Sequence, residues 1–384
     1  MKLLKIVPND FRNASRDLRE LAVARSVGYD VTVICKQGDN TDYSQHPFPV
    51  IAASTRPWTP LVKSPAVNRV VSVFAWARLV RRHKADVISC HDIDCLLIGW
   101  LSTLGMRRKP RLLYDSHEYE YGRNAARGRL MRGLVRREER FLIHRSAATV
   151  VVGDAIADLL VQLHGLRQRP VVVRNIPQGW TINADLVSRH RNELLARHHL
   201  SENTRIVMYH GAVTTGRGIE TAIAAMSHVP DAVLLVMGDG AETYLQQLRN
   251  AARNSGVGQR VVLLPAVPPD RLPEWVPVAD ASLCLIQNIC PSYYYSLPNK
   301  LFESIQACVP VVGSDFPEIS AVINAYHVGE LCNPADTGAV SEAVCRVLNS
   351  RQGYTAALAA ARQTLCWEKE SQILADLYRQ WLHR

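Results

Sequence analysis

The sequence of 384 residues predicts an α/β protein with two domains, each built on a doubly wound parallel β-sheet with helices on both faces. Three observations support this prediction. Short apolar runs alternate with amphipathic stretches along the whole chain, and several runs are continuously apolar, as strands buried on both faces are. The length also suits two domains of ordinary size better than one.

In the first half, six apolar runs predict strands at residues 3–7, 31–35, 87–90, 111–114, 149–152 and 171–173. Amphipathic stretches between them predict helices at 15–26, 66–83 and 127–144. The second half repeats the alternation. Its strands are expected at 205–210, 232–237, 260–264, 281–286 and 310–313, and its helices at 218–226, 241–255, 299–308, 336–349 and 354–364.

The periodicity breaks at residues 174–185, where Asn175, Pro177 and Gly179 interrupt it. This segment is therefore the predicted linker between a first domain of residues 1–175 and a second of residues 186–366. Two doubly wound sheets in one chain predict a cleft lined by the carboxyl ends of their strands.

The net charge of +10 is unevenly distributed, because the excess of Lys and Arg lies in the first half. Residues 123–145 carry arginines at positions 123, 127, 129, 132, 136, 137, 140 and 145, around apolar side chains at helical spacing. The usual interpretation of this pattern is a core-packed helix with a solvated face, and the alternative is a basic surface that contacts an anionic membrane. No nucleic-acid-binding motif is present, so no nucleic-acid partner is expected.

The nine cysteines are scattered and form no Cys-x-x-Cys pair, which predicts reduced thiols in a cytoplasmic protein. The chain begins directly in a predicted strand, so no leader peptide is expected. The most apolar window, residues 95–104, is too short to span a bilayer.

Three stretches of the second half suggest a site for an anionic ligand. The first strand ends at Gly211 and leads through a glycine-containing loop with Arg217 into a helix. A similar turn, residues 238–240 with the sequence Gly-Asp-Gly, follows the next strand and suits contact with a base or ribose.

The third stretch is the predicted helix at 299–308. Asn299 and Lys300 stand at its N-terminus, where a pyrophosphate is favoured. Glu303 lies one turn in, placed to accept hydrogen bonds from two ribose hydroxyls, while Leu301 and Phe302 are expected in the core.

Together these stretches resemble the donor half of family 4 retaining glycosyltransferases, especially in the run Leu-Pro-Asn-Lys-Leu-Phe-Glu at 297–303. The resemblance covers nearly the whole chain and implies the GT-B fold: two Rossmann-like domains facing across a cleft, with a C-terminal helix at 367–384 crossing back to the first. It implies that Glu303 binds the donor ribose and that Arg217 takes the place of a phosphate-binding lysine. It also implies that Ser296, Leu297 and Pro298 meet the donor sugar and phosphates.

The site departs from the family pattern at two positions. Tyr295 stands where the first glutamate of the Glu-x7-Glu motif is expected, and Ala212 stands where an arginine is expected. Our hypothesis is that Lys300 takes over part of the neutralisation of the leaving diphosphate.

In the first half, residues 115–120 place acidic side chains and a histidine just beyond a strand end. His117 matches a family histidine that contacts the donor sugar, which makes it the third catalytic candidate beside Arg217 and Lys300. The acceptor-side candidates lie after strand ends in the same half: Asn9, Asp10, Asn13, Asp92 and Glu118.

The implied reaction is retaining transfer from a nucleoside-diphosphate sugar, with UDP as the first choice of nucleotide, to a hydroxyl of a glycan or lipid-linked acceptor. The sequence predicts no cofactor and no metal, because Arg217, Lys300 and helix-start amides would hold the departing charge. Two alternatives remain open here: a nucleotide-sugar 2-epimerase, and a binding protein, including a homologue that binds donor without efficient transfer.

Overall fold

The structure is a computed structural model that describes residues 1–11, 15–36, 42–44, 46–53, 65–122 and 128–382. The chain forms two compact units, one of residues 1–174 with 371–384 and one of residues 175–370.

The first unit is a seven-stranded parallel sheet with helices between successive strands. Its strands are β1 (Lys2–Val7), β2 (Asp30–Lys36), β3 (Val50–Ala53), β4 (Val87–His91), β5 (Arg111–Ser116), β6 (Ala148–Val151) and β7 (Val171–Val172). Its helices are α1 (Ser15–Ser26), α2 (Pro65–Arg82), α3 (Asp92–Ser102), α4 (Arg129–Ile143) and α5 (Asp154–His164). The strand order is β3-β2-β1-β4-β5-β6-β7.

The second unit is a six-stranded parallel sheet. Its strands are β8 (Arg205–His210), β9 (Ala232–Met237), β10 (Val261–Leu264), β11 (Ala281–Cys284), β12 (Val311–Ser314) and β13 (Gly329–Cys332). Its helices are α6 (Ala184–Arg197), α7 (Ile219–Ala225), α8 (Glu242–Asn254), α9 (Leu272–Trp275), α10 (Pro291–Tyr294), α11 (Asn299–Gln306), α12 (Pro317–Tyr326), α13 (Thr337–Asn349) and α14 (Thr355–Thr364). The order β10-β9-β8-β11-β12-β13 is the Rossmann order.

A final helix, α15 (Trp367–Leu382), begins in the second unit, and its residues from Ser371 onward belong to the first. Two hydrogen bonds hold α15 on the first unit. The Tyr29 hydroxyl donates to the Tyr378 carbonyl at 3.0 Å, and the Arg111 guanidinium donates to the Trp381 carbonyl at 2.7 Å.

The two parallel-sheet α/β units confirm the predicted fold class. Every predicted strand is present, with ends shifted by at most two residues, while β3 and β13 were not predicted. The predicted linker differs, since residues from 175 onward are built into the second unit and α6 begins at Ala184. Ile176 is fully buried in that unit's core, and the Gly179 N–H donates to the Glu368 carboxylate, which explains why the segment is ordered despite its helix-breaking residues.

All nine cysteines are unpaired, and seven of them are buried. Burial raises the pKa of several of these thiols, including that of Cys284 on β11 to about 11. No helix within the described ranges is long and apolar enough to cross a bilayer.

Candidate functional site

The sheet of the second unit reverses its strand order between β8 and β11. In open α/β sheets, ligands bind at the carboxyl ends of the strands beside such a reversal. Strand β8 ends at His210 and β11 at Cys284, and the predicted donor-site residues come from the loops and helices that follow β8, β9 and β11.

The loops after β8 and β9 pack against each other backbone to backbone. A Cβ atom on Gly238 would lie 1.8 Å from the carbonyl oxygen of Gly211, and one on Gly240 would lie 2.4 Å from that of Val213. These contacts leave no room for a side chain, so both glycines are required for the packing of the two loops. Their predicted contact with the donor stays a prediction.

Asp239, between these two glycines, is exposed, and its carboxylate accepts a hydrogen bond of 3.0 Å from the Ala266 N–H. Its backbone carbonyl accepts from the Val213 N–H at 2.9 Å. Asp239 thus links three loops at this end of the sheet, in addition to its predicted role toward the donor.

Arg217 is placed by the glycine that follows it. Gly218 has a left-handed backbone with φ of +73°, and a Cβ there would lie 2.2 Å from the Leu285 carbonyl oxygen. This close approach of the loop to the residue that follows β11 sets the position of Arg217, two residues before α7. The guanidinium carbon lies 4.9 Å from the centre of the Tyr293 ring, and its Nε is buried without a hydrogen-bond partner.

Lys300 is the second residue of α11 and is buried. Its ammonium nitrogen lies 3.5 Å from the centre of the Tyr209 ring and would be 3.7 Å from a Cβ on Gly211. The lysine head therefore lies directly beside the loop where the family pattern places an arginine.

The pKa of Lys300 is lowered to about 7, first by burial and then by the positive charge of Arg217, while Cys284 and Glu303 act in the opposite direction. Lys300 and Arg217 therefore place two positive charges near each other at this end of the sheet, an arrangement that favours an anionic ligand.

Glu303 is engaged by a residue that the sequence analysis did not single out. The Nε2 atom of His210, at the end of β8, lies 3.0 Å from a carboxylate oxygen of Glu303. The His210 ring is almost fully buried, and its Nδ1 has no partner. The strand-end position of His210 was the available signal, but only the fold brings β8 and α11 together. The pair orients the carboxylate that is predicted to meet the ribose.

In the segment before α11, mainly backbone groups are available for the predicted contacts with the donor. Tyr295 caps the end of α10, and the Ser296 hydroxyl donates to the carbonyl three residues earlier at 2.7 Å. Leu297 is buried in the core, so its predicted donor contact can come only from its main chain. Pro298 precedes α11, and Asn299 is exposed at its first position.

The first unit holds a buried cluster of charges that the sequence analysis also did not single out. Lys5, in the middle of β1, donates to Glu20 and lies 2.8 Å from a carboxylate oxygen of both Asp17 and Asp115. Arg16 pairs with Glu20 at 2.8 Å. A lysine within an apolar strand was the sequence signal for this cluster, because a buried ammonium requires anionic partners.

His117 is attached to this cluster. Its Nε2 lies 3.0 Å from Asp115, and its ring centre is 3.8 Å from that of His91, which in turn contacts Asp17 at 3.0 Å. Burial alone would raise the pKa of the Asp115 carboxyl, but His117 and Lys5 outweigh it and hold the pKa well below its usual range. An ionised Asp115 fixes the orientation of the imidazole.

Two sets of side chains in this cluster have the spacing of metal ligands, namely Asp17, His91 and His117, and Asp17, Glu20, Asp115 and His117. The Lys5 ammonium already contacts the carboxylates of Asp17, Glu20 and Asp115. A divalent ion would have to displace this buried cation, so the arrangement fits a metal poorly.

Asp92 lies next to His117. It is the first residue of α3, has a left-handed backbone with φ of +62°, and its carboxylate accepts from the His117 N–H at 3.1 Å. A non-glycine residue in this conformation is strained and recurs at functional sites. The structure therefore brings together one catalytic and one acceptor-side candidate.

The remaining acceptor-side candidates are less tightly placed. Asn9 is exposed after β1, and the Asp10 carboxylate accepts from the Tyr43 hydroxyl at 2.7 Å. Glu118 follows His117 and is half-buried. Asn13 lies outside the described residues.

Comparisons with known proteins agree with the two-domain α/β fold. Residues 190–364 match the family model for Glycosyl transferases group 1, and residues 18–176 match that for Glycosyltransferase Family 4. The chain is 25% identical over 316 residues to a D-inositol 3-phosphate glycosyltransferase of Xylanimonas cellulosilytica, a match that covers 77% of this chain and 72% of that protein.

Two solved structures share the fold. Sucrose-phosphate synthase from Thermosynechococcus elongatus has a TM-score of 0.79 at 17% identity, with complete coverage of both chains. Anabaena Alr3699/HepE in complex with UDP-glucose has a TM-score of 0.78 at 16% identity, covering 99% of this chain and 100% of that one. With two such family models matched over most of its length, the chain belongs to the family 4-like glycosyltransferases.

Proposed function

We propose that the protein transfers a sugar from a nucleoside-diphosphate sugar, in the first place a UDP-sugar, to a hydroxyl of a glycan or lipid-linked acceptor, with retention at the anomeric carbon. The observation that carries the proposal is the pair Arg217 and Lys300 at the strand reversal, two partly or fully buried cations beside the orienting pair of Glu303 and His210. Anabaena Alr3699/HepE, which shares the fold, was solved with UDP and with UDP-glucose, and this supports the choice of nucleotide.

In this proposal Glu303 accepts the ribose hydroxyls, and Arg217 and Lys300 hold the diphosphate. Negative charge builds on the departing phosphate in an oxocarbenium-like transition state, and the two cations stabilise it. His117, whose imidazole is oriented by Asp115, is the third catalytic residue of this proposal. Because two fixed cations take the departing charge, turnover in EDTA should equal turnover with added Mg²⁺.

The donor assignment is tested by thermal shift and calorimetry with UDP-, GDP- and dTDP-sugars, since a ligand that binds the native state stabilises it by mass action. Arg217→Ala should abolish the shift. The matched control is Arg249→Ala, which removes an exposed arginine of α8 paired with Glu242. The proposal fails if none of the three nucleotide sugars stabilises the protein, or if both variants lose the shift equally.

An incubation with donor alone separates transfer from 2-epimerisation. An epimerase converts the sugar nucleotide without an acceptor, whereas a transferase releases nucleotide only when an acceptor is added. The anomeric configuration of the product, read by NMR coupling constants, then tests retention.

We further propose a cytoplasmic protein of cell-surface polysaccharide assembly that contacts anionic membrane peripherally through its basic segment. Among the described arginines of residues 123–145, Arg136 donates to the Leu163 carbonyl and Arg145 covers the Phe141 ring, while Arg137 and Arg140 are exposed. Arg123 and Arg127 lie outside the described residues. The test is co-sedimentation of the protein with lipid vesicles. The protein should bind anionic but not neutral vesicles, added salt should weaken the binding, and the double variant Arg137→Glu with Arg140→Glu should bind more weakly than the wild type.

A further inference from the structure

A long groove in the first unit lies among α2, α3 and α4 and is not used by the donor site. Its cavity volume is about 920 Å³, within the range of small-molecule pockets. The walls are apolar: Val70, Val73 and Phe74 come from α2, Leu97 from α3, and Met131 and Leu134 from α4.

The groove side chains are unusually exposed for their size. Phe74 and Leu134 are each 59% accessible to solvent. Most of the large apolar side chains that the described residues expose lie on α2 and α4. Several exposed apolar side chains that line one groove are typical of a binding surface.

One part of the groove lies at the carboxyl ends of the strands in the sheet of the first unit. Its lining includes Asn9 and Asp92, which follow β1 and β4. The strand order of the first unit reverses between these two strands, and ligands of open α/β sheets bind at such a point. A molecule lying in the groove would therefore present one end beside Asp92 and His117, which share a hydrogen bond.

The charged residues that line the groove indicate which kind of ligand head group it can bind. Arg69 and Asp94 neutralise each other at 2.7 Å, and burial, followed by the charge of Asp94, raises the pKa of Glu138. The lining as a whole carries four carboxylates, those of Asp92, Asp94, Glu120 and Glu138, against the single cation Arg69, and Asp92 lies at the edge of the sheet. Carboxylates accept hydrogen bonds from hydroxyls and repel phosphate, so this part of the groove suits an uncharged, hydroxyl-rich head group.

We propose that the groove binds the hydrocarbon chain of an amphiphilic acceptor, with an uncharged hydroxylated head group at Asn9 and Asp92. The inference rests on the proposed transfer function and names the acceptor class for it. The occupant is a single chain inserted among three helices. It is neither a bilayer surface nor a second copy of the protein.

The test uses alkyl β-glucosides with methyl, hexyl and octyl chains, each below its critical micelle concentration, with binding measured by calorimetry on the full chain. Each methylene that enters the groove should tighten the dissociation constant about fourfold, the factor that corresponds to the transfer of one CH₂ group from water. Methyl glucoside should bind too weakly to measure. Affinity that does not depend on chain length overturns the proposal.

Two variants locate the site. Leu134→Asp places a charge in the groove wall at an exposed position where the fold tolerates it, and should weaken octyl glucoside binding at least tenfold. Leu130→Asp is the matched control, because Leu130 is 88% exposed on the same helix and does not line the groove. The proposal is contradicted if both variants lose the same octyl glucoside affinity, or if the protein binds phospholipid vesicles but no alkyl glucoside.

UDP binding to the same preparations keeps the two proposals apart. If UDP binds normally while octyl glucoside does not, the groove assignment fails and the donor site stands. If octyl glucoside binds in the predicted way while no nucleotide sugar does, the transfer function fails instead. A dimer in size-exclusion chromatography that Leu134→Asp dissociates would assign the groove to a second copy and overturn the proposal.

Discussion

Replacing Lys300 by methionine should make the protein more stable at neutral pH. The lysine has an ordinary pKa of 10.5 in the unfolded chain and of about 7 in the fold, where burial disfavours its charge. Linkage over this difference corresponds to about 4 kcal/mol of destabilisation of the folded state at pH 7. The lost contact with the Tyr209 ring offsets about 1 kcal/mol of the gain. The variant should thus gain about 3 kcal/mol.

The gain has a definite pH dependence. Between pH 7 and 10.5 the unfolded chain binds the lysine proton and the folded chain does not, so the stability of the wild type rises with pH in this window. Below pH 7 the penalty on the wild type is constant. The advantage of Lys300→Met should therefore be largest at pH 7 and below, and should disappear by about pH 10.5.

Urea unfolding at pH 7 and at pH 10 measures this difference directly. The matched control is Lys369→Met, which removes an exposed lysine of the same unit and should leave the urea midpoint unchanged. UDP affinity should fall at least tenfold in Lys300→Met and stay normal in the control, since a charge-assisted contact is lost. If Lys300→Met is less stable than the wild type at pH 7, the burial of the charged Lys300 does not destabilise the folded protein, and the reasoning is refuted.

The wild-type affinity for UDP should decline as pH rises above about 7, because the diphosphate needs Lys300 protonated and the apo protein increasingly loses that proton; calorimetry at pH 6, 7 and 8 measures it. Glu303→Ala should weaken UDP binding by about 2 kcal/mol while leaving binding of pyrophosphate, which has no ribose, unaffected. Gly238→Ala should cost about 1–3 kcal/mol of stability in thermal unfolding, because its Cβ would overlap the Gly211 carbonyl oxygen. Asp115→Asn should cost about 3–5 kcal/mol, since it removes one of the three carboxylates that neutralise the buried Lys5 and Arg16, and a change within 0.5 kcal/mol would contradict the charge cluster.

The sequence predicted the fold well wherever hydrophobic runs were long. Strand β9 is a continuous apolar run and β8 is apolar between its end residues Arg205 and His210, and the predicted bounds of both are those of the structure. Strands β3 and β13 were not predicted, because they are only four residues long and mostly half-buried. Burial therefore imposes little hydrophobic pattern on their sequences. Helix α12 begins at Pro317 and follows β12 after two residues, which leaves little polar sequence to signal a boundary.

The candidate site was predicted residue by residue but not in its contacts. The order of Arg217, Lys300 and Glu303 along the chain indicated an anion site. The partner of Glu303 could not be predicted, because His210 lies on a different element far away in sequence and meets it only through the parallel sheet. The same holds for Lys5, whose partners come from α1 and β5.

The unpaired thiols give the protein a built-in reporter of its own local unfolding. A thiol reagent reaches the buried Cys284 only when β11 opens, so the modification rate measures that opening. Cys284 and Lys300 are close enough to influence each other's charge, so a ligand held by Lys300 would stabilise the closed form of this region and slow its opening. Slower labelling in the presence of a nucleotide sugar would then report occupancy of the site in the unmodified protein, while the half-buried Cys308 and Cys345 serve as internal references.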